Sequence, residues 1–441
     1  MNAKSKELLV FLQGNPLGIL SEDTQGRHVF TYLPESDVSL NLSIALPHRT
    51  SPWTGAAVEA YIDGVLPDDP NIRQRIGRQY GVNARNPFAL LSVIGLDCAG
   101  GVQFVPPAQI DTLRRTSELV PISEEQIGLR LQAMGQGGRA SWQANDEHWS
   151  LNGAQDKIAL RRQNGQWYEA HGAEATTHII KPGISNLLEQ SFNEYVCMKT
   201  ISNLGVPTAE STYHMFGDVP AIISTRWDRE IIDDNNIPKV ARIHQEDFCQ
   251  ALGFMTAQKY QSDGGPDALA IVQFLYTEHF SATDIHLFYT ALILNFLMAG
   301  TDAHAKNYAI LEPAGESPML APLYDIASLF PYDTQRKQRK LAMSIGREYN
   351  YERIELRHWD RFAAAIIQAC KSDDSEFIHF ALQHYAEKLP QAFRATAEEE
   401  MQLVDGMDRS GQSSQQRRQL IERIQHGIDR QCERVMRWFE S

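Results

Sequence analysis

Asp302 and Asn307 stand five residues apart, and Asp325 follows after two short apolar runs separated by a turn. Phosphotransferases use such a set to hold a general base and two magnesium ligands. In protein kinases the catalytic loop carries Asp-x-x-x-x-Asn, and a later Asp takes the metal. On this pattern Asp302 is the candidate base, and Asn307 and Asp325 are the candidate Mg²⁺ ligands. His304 and Lys306 fall inside the same loop. Taken alone, the same residues also suit helix caps and turns.

The flanking elements are what would make these residues a site. Thr283-Asp284 reads as a helix start. The run from Ile285 to Met298 is mostly apolar and stops at Gly300, which predicts a buried helix that delivers Asp302 to the edge of a core. Tyr308 to Leu311 and Met319 to Leu323 read as two strands. The segment Glu312 to Pro318 between them has the Pro and Gly of a turn. Paired as a hairpin, the strands bring Asn307 and Asp325 to one open end. Oxygen ligands meeting there suit Mg²⁺, which keeps several waters and takes substrate phosphates.

Upstream, Ser150-Leu151-Asn152-Gly153-Ala154-Gln155-Asp156-Lys157 precedes a predicted hairpin, Ile158 to Leu160 and Trp167-Tyr168 about an Asn164-Gly165 turn. Small residues there let backbone N–H groups approach phosphates. A plain surface turn fits that loop equally. Thr177 to Pro182 reads as a strand ending in Lys181, placed like the kinase lysine on the α- and β-phosphates, or else solvated. The following helix presents Glu194 for pairing with Lys181. A strand at Pro220 to Ser224 leads to Thr225-Arg226-Trp227-Asp228-Arg229, the position of a hinge. Trp227 there suits an adenine face or a core. Strands first and a mainly helical second half predict an α+β, two-lobed protein-kinase-like fold, with an added N-terminal subdomain and a helical C-lobe.

At 441 residues the chain is long for one domain. We expect a subdomain over 1–110, a mixed β/α lobe over 145–230 and a helical lobe over 231–441. The polar stretch 117–144, with Gly135-Gln136-Gly137-Gly138-Arg139, marks the first division. The subdomain shows strand-like runs at Leu8 to Leu12 and His28 to Tyr32, helical runs after Pro52, at Ile72 to Tyr80 and at Pro87 to Ile94, and a strand at Gly100 to Val105. It holds no catalytic cluster and reads as a docking or scaffolding domain. Five scattered cysteines without C-x-x-C argue against a disulfide framework or structural zinc. The apolar stretch Leu8 to Leu12 is too short for a signal peptide, and no run reaches membrane-spanning length. A cytoplasmic location is expected. A formal net charge of −14 disfavours tight autonomous binding to nucleic acid.

In the same order along nearly the whole chain come Leu66-Pro67-Asp68-Asp69-Pro70, Ile94-Gly95-Leu96-Asp97, Ser150 with Gly153-Ala154-Gln155-Asp156-Lys157, and His178-Ile179-Ile180-Lys181. Then follow Asn193-Glu194, Arg226-Trp227-Asp228-Arg229, His244-Gln245-Glu246-Asp247, Lys259-Tyr260 and Asp263-Gly264-Gly265-Pro266. Thr301-Asp302 to Asn307, Tyr324-Asp325-Ile326 and Leu341-Ala342-Met343 close the series. In these motifs the chain resembles HipA, the serine/threonine kinase toxin of bacterial HipBA toxin–antitoxin modules. The resemblance implies ATP and Mg²⁺ as cofactors and Asp302 as base, with His304 and Lys306 near the transferred phosphoryl. It implies Asn307 and Asp325 on the metal and Lys181 on the phosphates. Ser150, Asn152, Gly153, Ala154, Gln155, Lys157, Glu194, Thr225, Trp227 and Asp228 would complete the nucleotide site, with Ser150 also an autophosphorylation site. It further implies a HipB-like helix-turn-helix antitoxin dimer as partner, operator DNA reached through it, and a translation component of the glutamyl-tRNA synthetase type as substrate, with growth arrest and persistence as outcome. The hinge departs from the family pattern, with Ser224-Thr225 where an acidic residue precedes the Arg.

Two other classes remain open on sequence. One is an operator co-repressor with a vestigial kinase site, the other a small-molecule kinase. Arg417, Arg418, Arg423, Arg430, Arg434 and Arg437, beside Leu420, Ile424, Ile428, Val435 and Phe439, predict a C-terminal amphipathic helix packed on the lobe with a solvated basic face.

Overall fold

The computed structural model describes residues 6–111, 117–135, 148–184, 186–234, 237–332, 339–406 and 412–440. The chain folds as two units, each assembled from separate stretches. Unit 1 comprises Met1–Ile180, Thr225–Lys259 and Ala309–Pro318, and unit 2 comprises Lys181–Ser224, Tyr260–Tyr308 and Met319–Ser441. The chain crosses from the first to the second inside one strand, His178–Pro182, between Ile180 and Lys181.

Unit 1 begins with an antiparallel sheet. Strand Lys6–Leu12 pairs with Asn15–Glu22 on one side and Val102–Val105 on the other, and Asn15–Glu22 pairs with His28–Tyr32. Alternate residues of these strands (Leu8, Val10 and Leu12; Phe30 and Tyr32) are buried, as a half-buried sheet requires. The strand Asn15–Glu22 is absent from the sequence expectation. Its helices, Ala56–Gly64, Pro70–Tyr80 and Pro87–Ile94, fall where the sequence places them. The latter two start on Asp69 and Asn86, whose side chains accept first-turn N–H groups, and both have Pro at the first helical position.

A second antiparallel set in unit 1 runs Ile158–Gln163, Gln166–His171 and Glu118–Ile122, with His178–Ile180 on the other side of Ile158–Gln163. The turn uses Asn164 and Gly165 at φ 50° and 79°. That pair of positive φ values is what a two-residue hairpin needs. The polar stretch expected as a division is, in its described part, the strand Glu118–Ile122 and the helix Glu124–Gly135. Pro121 hid that strand from a sequence reading, and it is tolerated because the strand lies at the sheet edge. Gln136 to Arg139 lie outside the described residues.

Unit 2 is mainly helical. Helix Ala282–Met298 is buried almost all round, from Ile285 to Met298. Ser281 caps its first turn by accepting from Asp284 N at 3.2 Å. At the other end Ala299, not Gly300, takes the left-handed conformation with φ 54°. Gly300 is needed for space instead: a Cβ there would lie 2.2 Å from the Asn295 Oδ1. Helices Gln190–Asn203, Leu356–Cys370, Ser375–Asp405 and Gln412–Met436 surround this one or one another. On the last helix Leu420, Ile424, Ile428 and Val435 are fully buried, as the stripe predicts. Its basic face is not simply solvated. Arg417 is fully buried and lies 3.8 Å from both Glu189 and Asp405. Arg423 and Arg434 donate to the Pro331 and Glu352 carbonyls. Helical spacing cannot distinguish an arginine facing water from one facing carboxylates across a core.

No described helix is long and apolar enough to cross a membrane.

Candidate active site

The acid cluster lies within unit 2. After Ala299 the chain runs through Thr301 and Asp302 into a short 3₁₀ turn, Ala305–Asn307. Thr301 O accepts from Ala342 N at 2.9 Å, which ties the loop to strand Lys340–Ile345. Asn307 Nδ2 donates to Asp302 O at 3.0 Å, closing the loop on itself. Asp302 is exposed, so its carboxylate can meet a substrate from solvent. His304 and Lys306 lie in the loop as expected but are buried, 5% and 4% exposed, beneath its surface. Of the three, Asp302 is the group presented outward.

Asn307 and Asp325 line one small pocket with Asn295, Tyr308 and Tyr324. Asp325 sits at φ 59°, a left-handed conformation that Asp tolerates better than most residues. Tyr324, beside it, donates its hydroxyl to the Lys306 carbonyl at 2.7 Å, so the two acid segments are joined directly. Among the described residues no group of three or more His, Cys, Asp or Glu suits a metal ion. A carboxamide and a carboxylate facing one pocket instead fit a hard cation that takes its remaining oxygens from water and phosphate.

Lys181 completes the unit 2 site. Its ammonium is 3.0 Å from Glu194 Oε1 and 2.8 Å from Asp325 Oδ1. Burial alone would push the ammonium pKa down, but Asp325 and Glu194 more than offset it, and the pKa is raised. Lys181 is therefore charged at neutral pH. Glu194 comes from helix Gln190–Asn203, which is anchored nearby: Asn193 Nδ2 donates to Ser328 O at 2.7 Å, and Asn193 Oδ1 accepts from Ser328 N at 3.0 Å. The Lys181–Glu194 pairing expected from sequence is present.

The remaining expected nucleotide residues lie in unit 1. Ser150 is not in a loop. It belongs to a short strand, Trp149–Ser150, paired in parallel with Asp97–Cys98, and is fully buried with its hydroxyl donating to Val65 O at 2.7 Å. The Asn152 to Lys157 stretch that follows is irregular. Asp68 fastens it twice, accepting from Gly153 N at 3.1 Å and donating its own N–H to Gly153 O at 3.0 Å. Lys157 Nζ donates to Asn152 O at 2.5 Å, and Ala154 is exposed. Thr225 is half-buried, and Trp227 donates from Nε1 to Gln245 Oε1 at 2.6 Å.

Asp228 departs from expectation. It is buried, and its carboxylate accepts from Arg226 at 2.9 and 2.8 Å and from Gly100 N at 2.7 Å. Asp97 binds Arg226 and Arg229 in the same network. With both carboxylate oxygens engaged inside the protein, Asp228 is an internal ion-pair partner. Burial would raise both carboxyls, but the surrounding guanidiniums lower them.

Sequence reasoning gave no role to Asn295, Tyr324 or Tyr260. A single Asn inside an otherwise apolar buried helix was the available signal for the first. The two tyrosines had none beyond lying in short motifs.

The profile of HipA N-terminal domains matches residues 8–105, and that of HipA-like C-terminal domains matches residues 149–424. The chain is 31% identical over 366 residues to Putative kinase Y4mE of Sinorhizobium fredii, covering 81% of this chain and 84% of that protein. It is 30% identical over 313 residues to the serine/threonine-protein kinase toxin HipA of Shewanella oneidensis, covering 67% and 68%. In three dimensions it matches HipA from the Shewanella oneidensis complex of HipA, HipB and operator DNA. That match has a TM-score of 0.80 over 98% of this chain and 99% of that one at 23% identity, so the α+β fold is shared. On sequence and fold together, the chain belongs to the HipA family.

Proposed function

We propose that this chain is the serine/threonine kinase toxin of a HipBA-type module, transferring the ATP γ-phosphate to a protein. The observation that carries this reading is the Lys181 ammonium held between Glu194 and Asp325 in the same unit as the exposed Asp302 carboxylate. Phosphoryl transfer needs little covalent help from a protein. It needs positioning and charge neutralisation. Lys181 binds the phosphate oxygens, and Glu194 holds its charged form in place. Asp302 orients a serine or threonine hydroxyl and takes its proton as the hydroxyl oxygen bonds the γ-phosphorus. The bridging β–γ P–O bond breaks and ADP leaves. Asn307 and Asp325 would hold Mg²⁺, which when bound neutralises charge on the triphosphate. The Asn152 to Lys157 stretch would give backbone N–H groups to phosphates once Gly153 N–H leaves Asp68, and Thr225 and Trp227 would meet the adenine.

The partner in this reading is a HipB-like helix-turn-helix dimer. It supplies the basic recognition helices for operator DNA, since a net charge of −14 disfavours tight binding by this chain by itself. The substrate is a component of translation of the glutamyl-tRNA synthetase type, and the setting is cytoplasmic. Autophosphorylation falls on Ser150.

Labelled ATP with the purified chain tests the reading. Label on protein supports it. Label on a metabolite favours a small-molecule kinase, and no turnover favours a co-repressor with a vestigial site.

A further inference from the structure

Two motifs have no part in the chemistry above, Lys259-Tyr260 and Leu341-Ala342-Met343. Tyr260 of the first and the whole of the second lie in unit 2 and meet at the base loop. The Tyr260 hydroxyl donates to Asp302 Oδ1 at 2.7 Å. The ring of Tyr260 stands edge-on to His304, with centroids 4.9 Å apart and an interplanar angle of 86°. Its neighbour Gln261 is fastened to strand Lys340–Ile345: Gln261 Oε1 accepts from Ser344 N at 2.8 Å, and Gln261 Nε2 donates to Ser344 Oγ at 3.2 Å. Two residues earlier on that strand, Ala342 N donates to Thr301 O at 2.9 Å, next to Asp302 itself.

We propose that Tyr260 is a positioning residue for the Asp302 carboxylate, with strand Lys340–Ile345 as the fixed bar to which both are attached. An exposed Asp on a loop samples several rotamers, and a base is useful only in the one that meets the substrate hydroxyl. A hydroxyl donated from a separately anchored segment selects one rotamer. It also distinguishes the two carboxylate oxygens. Oδ1 is engaged by Tyr260, which assigns Oδ2 as the oxygen that takes the substrate proton. Anchoring from two directions, through Ala342 to Thr301 and through Ser344 to Gln261, gives the base and its tyrosine one common frame. The ring edge on His304 adds a third contact that survives loss of the hydroxyl.

This inference rests on the kinase reading, and the experiment separates the two. The single-turnover rate of label transfer from saturating Mg-ATP to a soluble bacterial protein extract is measured for the wild type, Tyr260→Phe and Gln261→Ala. ATP affinity by calorimetry and the midpoint of thermal unfolding are measured alongside. Tyr260→Phe keeps the ring on His304 and removes only the donor to a charged acceptor. Its rate should fall about ten- to hundredfold with ATP affinity within about twofold and an unchanged midpoint. Gln261→Ala should move the rate in the same direction by less. A Tyr260→Phe rate equal to wild type overturns the inference and leaves the kinase reading standing. So does a collapse of affinity and midpoint together, which marks a merely structural tyrosine. No transfer by the wild type overturns both.

Discussion

Asp302 and Asp325 share a loop system but differ in surroundings, so their loss should read differently. Asp302 is exposed, and Asn307 touches only its backbone carbonyl, so Asp302→Asn removes the proton acceptor without disturbing the loop. We expect transfer to fall by about two to four orders of magnitude with unchanged thermal stability. Asp325→Asn also removes a charge from Lys181, which keeps Glu194. Transfer should be lost and Mg-ATP affinity should weaken as well. Steady-state transfer and calorimetric titration on both variants check this. Wild-type phosphorylation by either one would show the base or ligand to be elsewhere. Lys181 itself is charged throughout the neutral range, because its raised pKa places any loss of the ion pair at alkaline pH.

Among the elements, the strand Trp149–Ser150 makes a specific demand on modification. Ser150 is fully buried and bonded to Val65 O, so a phosphate cannot be added or kept while the strand is paired with Asp97–Cys98. A phosphate brings close to two negative charges at neutral pH, which burial would penalise heavily. Ser150 phosphorylated during incubation with Mg-ATP should therefore coincide with faster amide exchange at Cys98 and Ala99, the latter bonded through its N–H to Ser150 O. Mass spectrometry reads both. A phosphorylated chain with unchanged exchange there would sink the coupling. The C-terminal helix offers a second contrast. Arg417 is fully buried between Glu189 and Asp405, whereas Arg418 is 66% exposed. Arg417→Ala removes the guanidinium beside the buried Glu189, while Asp405 keeps Arg418 and Ser414, and should cost about 3 kcal/mol, whereas Arg418→Ala should stay within about 0.5 kcal/mol. Denaturant unfolding decides it.

For the whole molecule, the question is how stretches far apart in sequence form one unit. In unit 1 the answer is the His244-Gln245-Glu246-Asp247 motif. His244 Nε2 bonds Leu42 O at 3.1 Å, and Glu246 accepts from Ser43 Oγ at 2.6 Å and Ile44 N at 2.8 Å. Asp247 caps the next short helix, and the strand pairs with Ala309–Glu312. Three separate stretches are thereby joined, with a titratable cost. Burial and the mutual repulsion of Glu246 and Glu312 raise the Glu246 carboxyl, and burial pushes Glu312 up to about 7. Both raised values mean that the folded state holds protons the unfolded chain has released. This stability is full below the ordinary carboxylate range and is lost as pH rises from there through neutrality. His178 and His244 act oppositely. Burial lowers each to about 4, so stability falls as pH drops below the ordinary histidine value. Glu246→Gln should therefore raise the unfolding midpoint at pH 8 while leaving it nearly unchanged at pH 4. Parallel midpoint–pH curves for variant and wild type would show the carboxyl pair to be uncoupled from folding.

Local chemistry made much of this protein legible in advance. The caps at Asp69 and Asn86, the Asn164-Gly165 turn and the apolar run Ile285 to Met298 name their own elements, because caps, turns and helix periods are short-range. The Lys181–Glu194 pair was expected between a strand and the helix that follows it, and the meeting of Asn307 and Asp325 from two neighbouring runs joined by a turn, so both join segments close in sequence. What spacing could not decide was direction and partnership across the fold. Ser150 reads as a loop residue until Cys98 is seen to pair with it, and Arg417 as solvated until Glu189 and Asp405 close over it. Asp228 reads as a hinge acid until Arg226, Arg229 and Gly100 occupy its oxygens, and Tyr260 has no role until it meets Asp302. Each of these depends on residues at least 40 positions apart or on the burial of a charge. Burial is a property of the packed chain, because only there does a low dielectric make the choice of partner decisive.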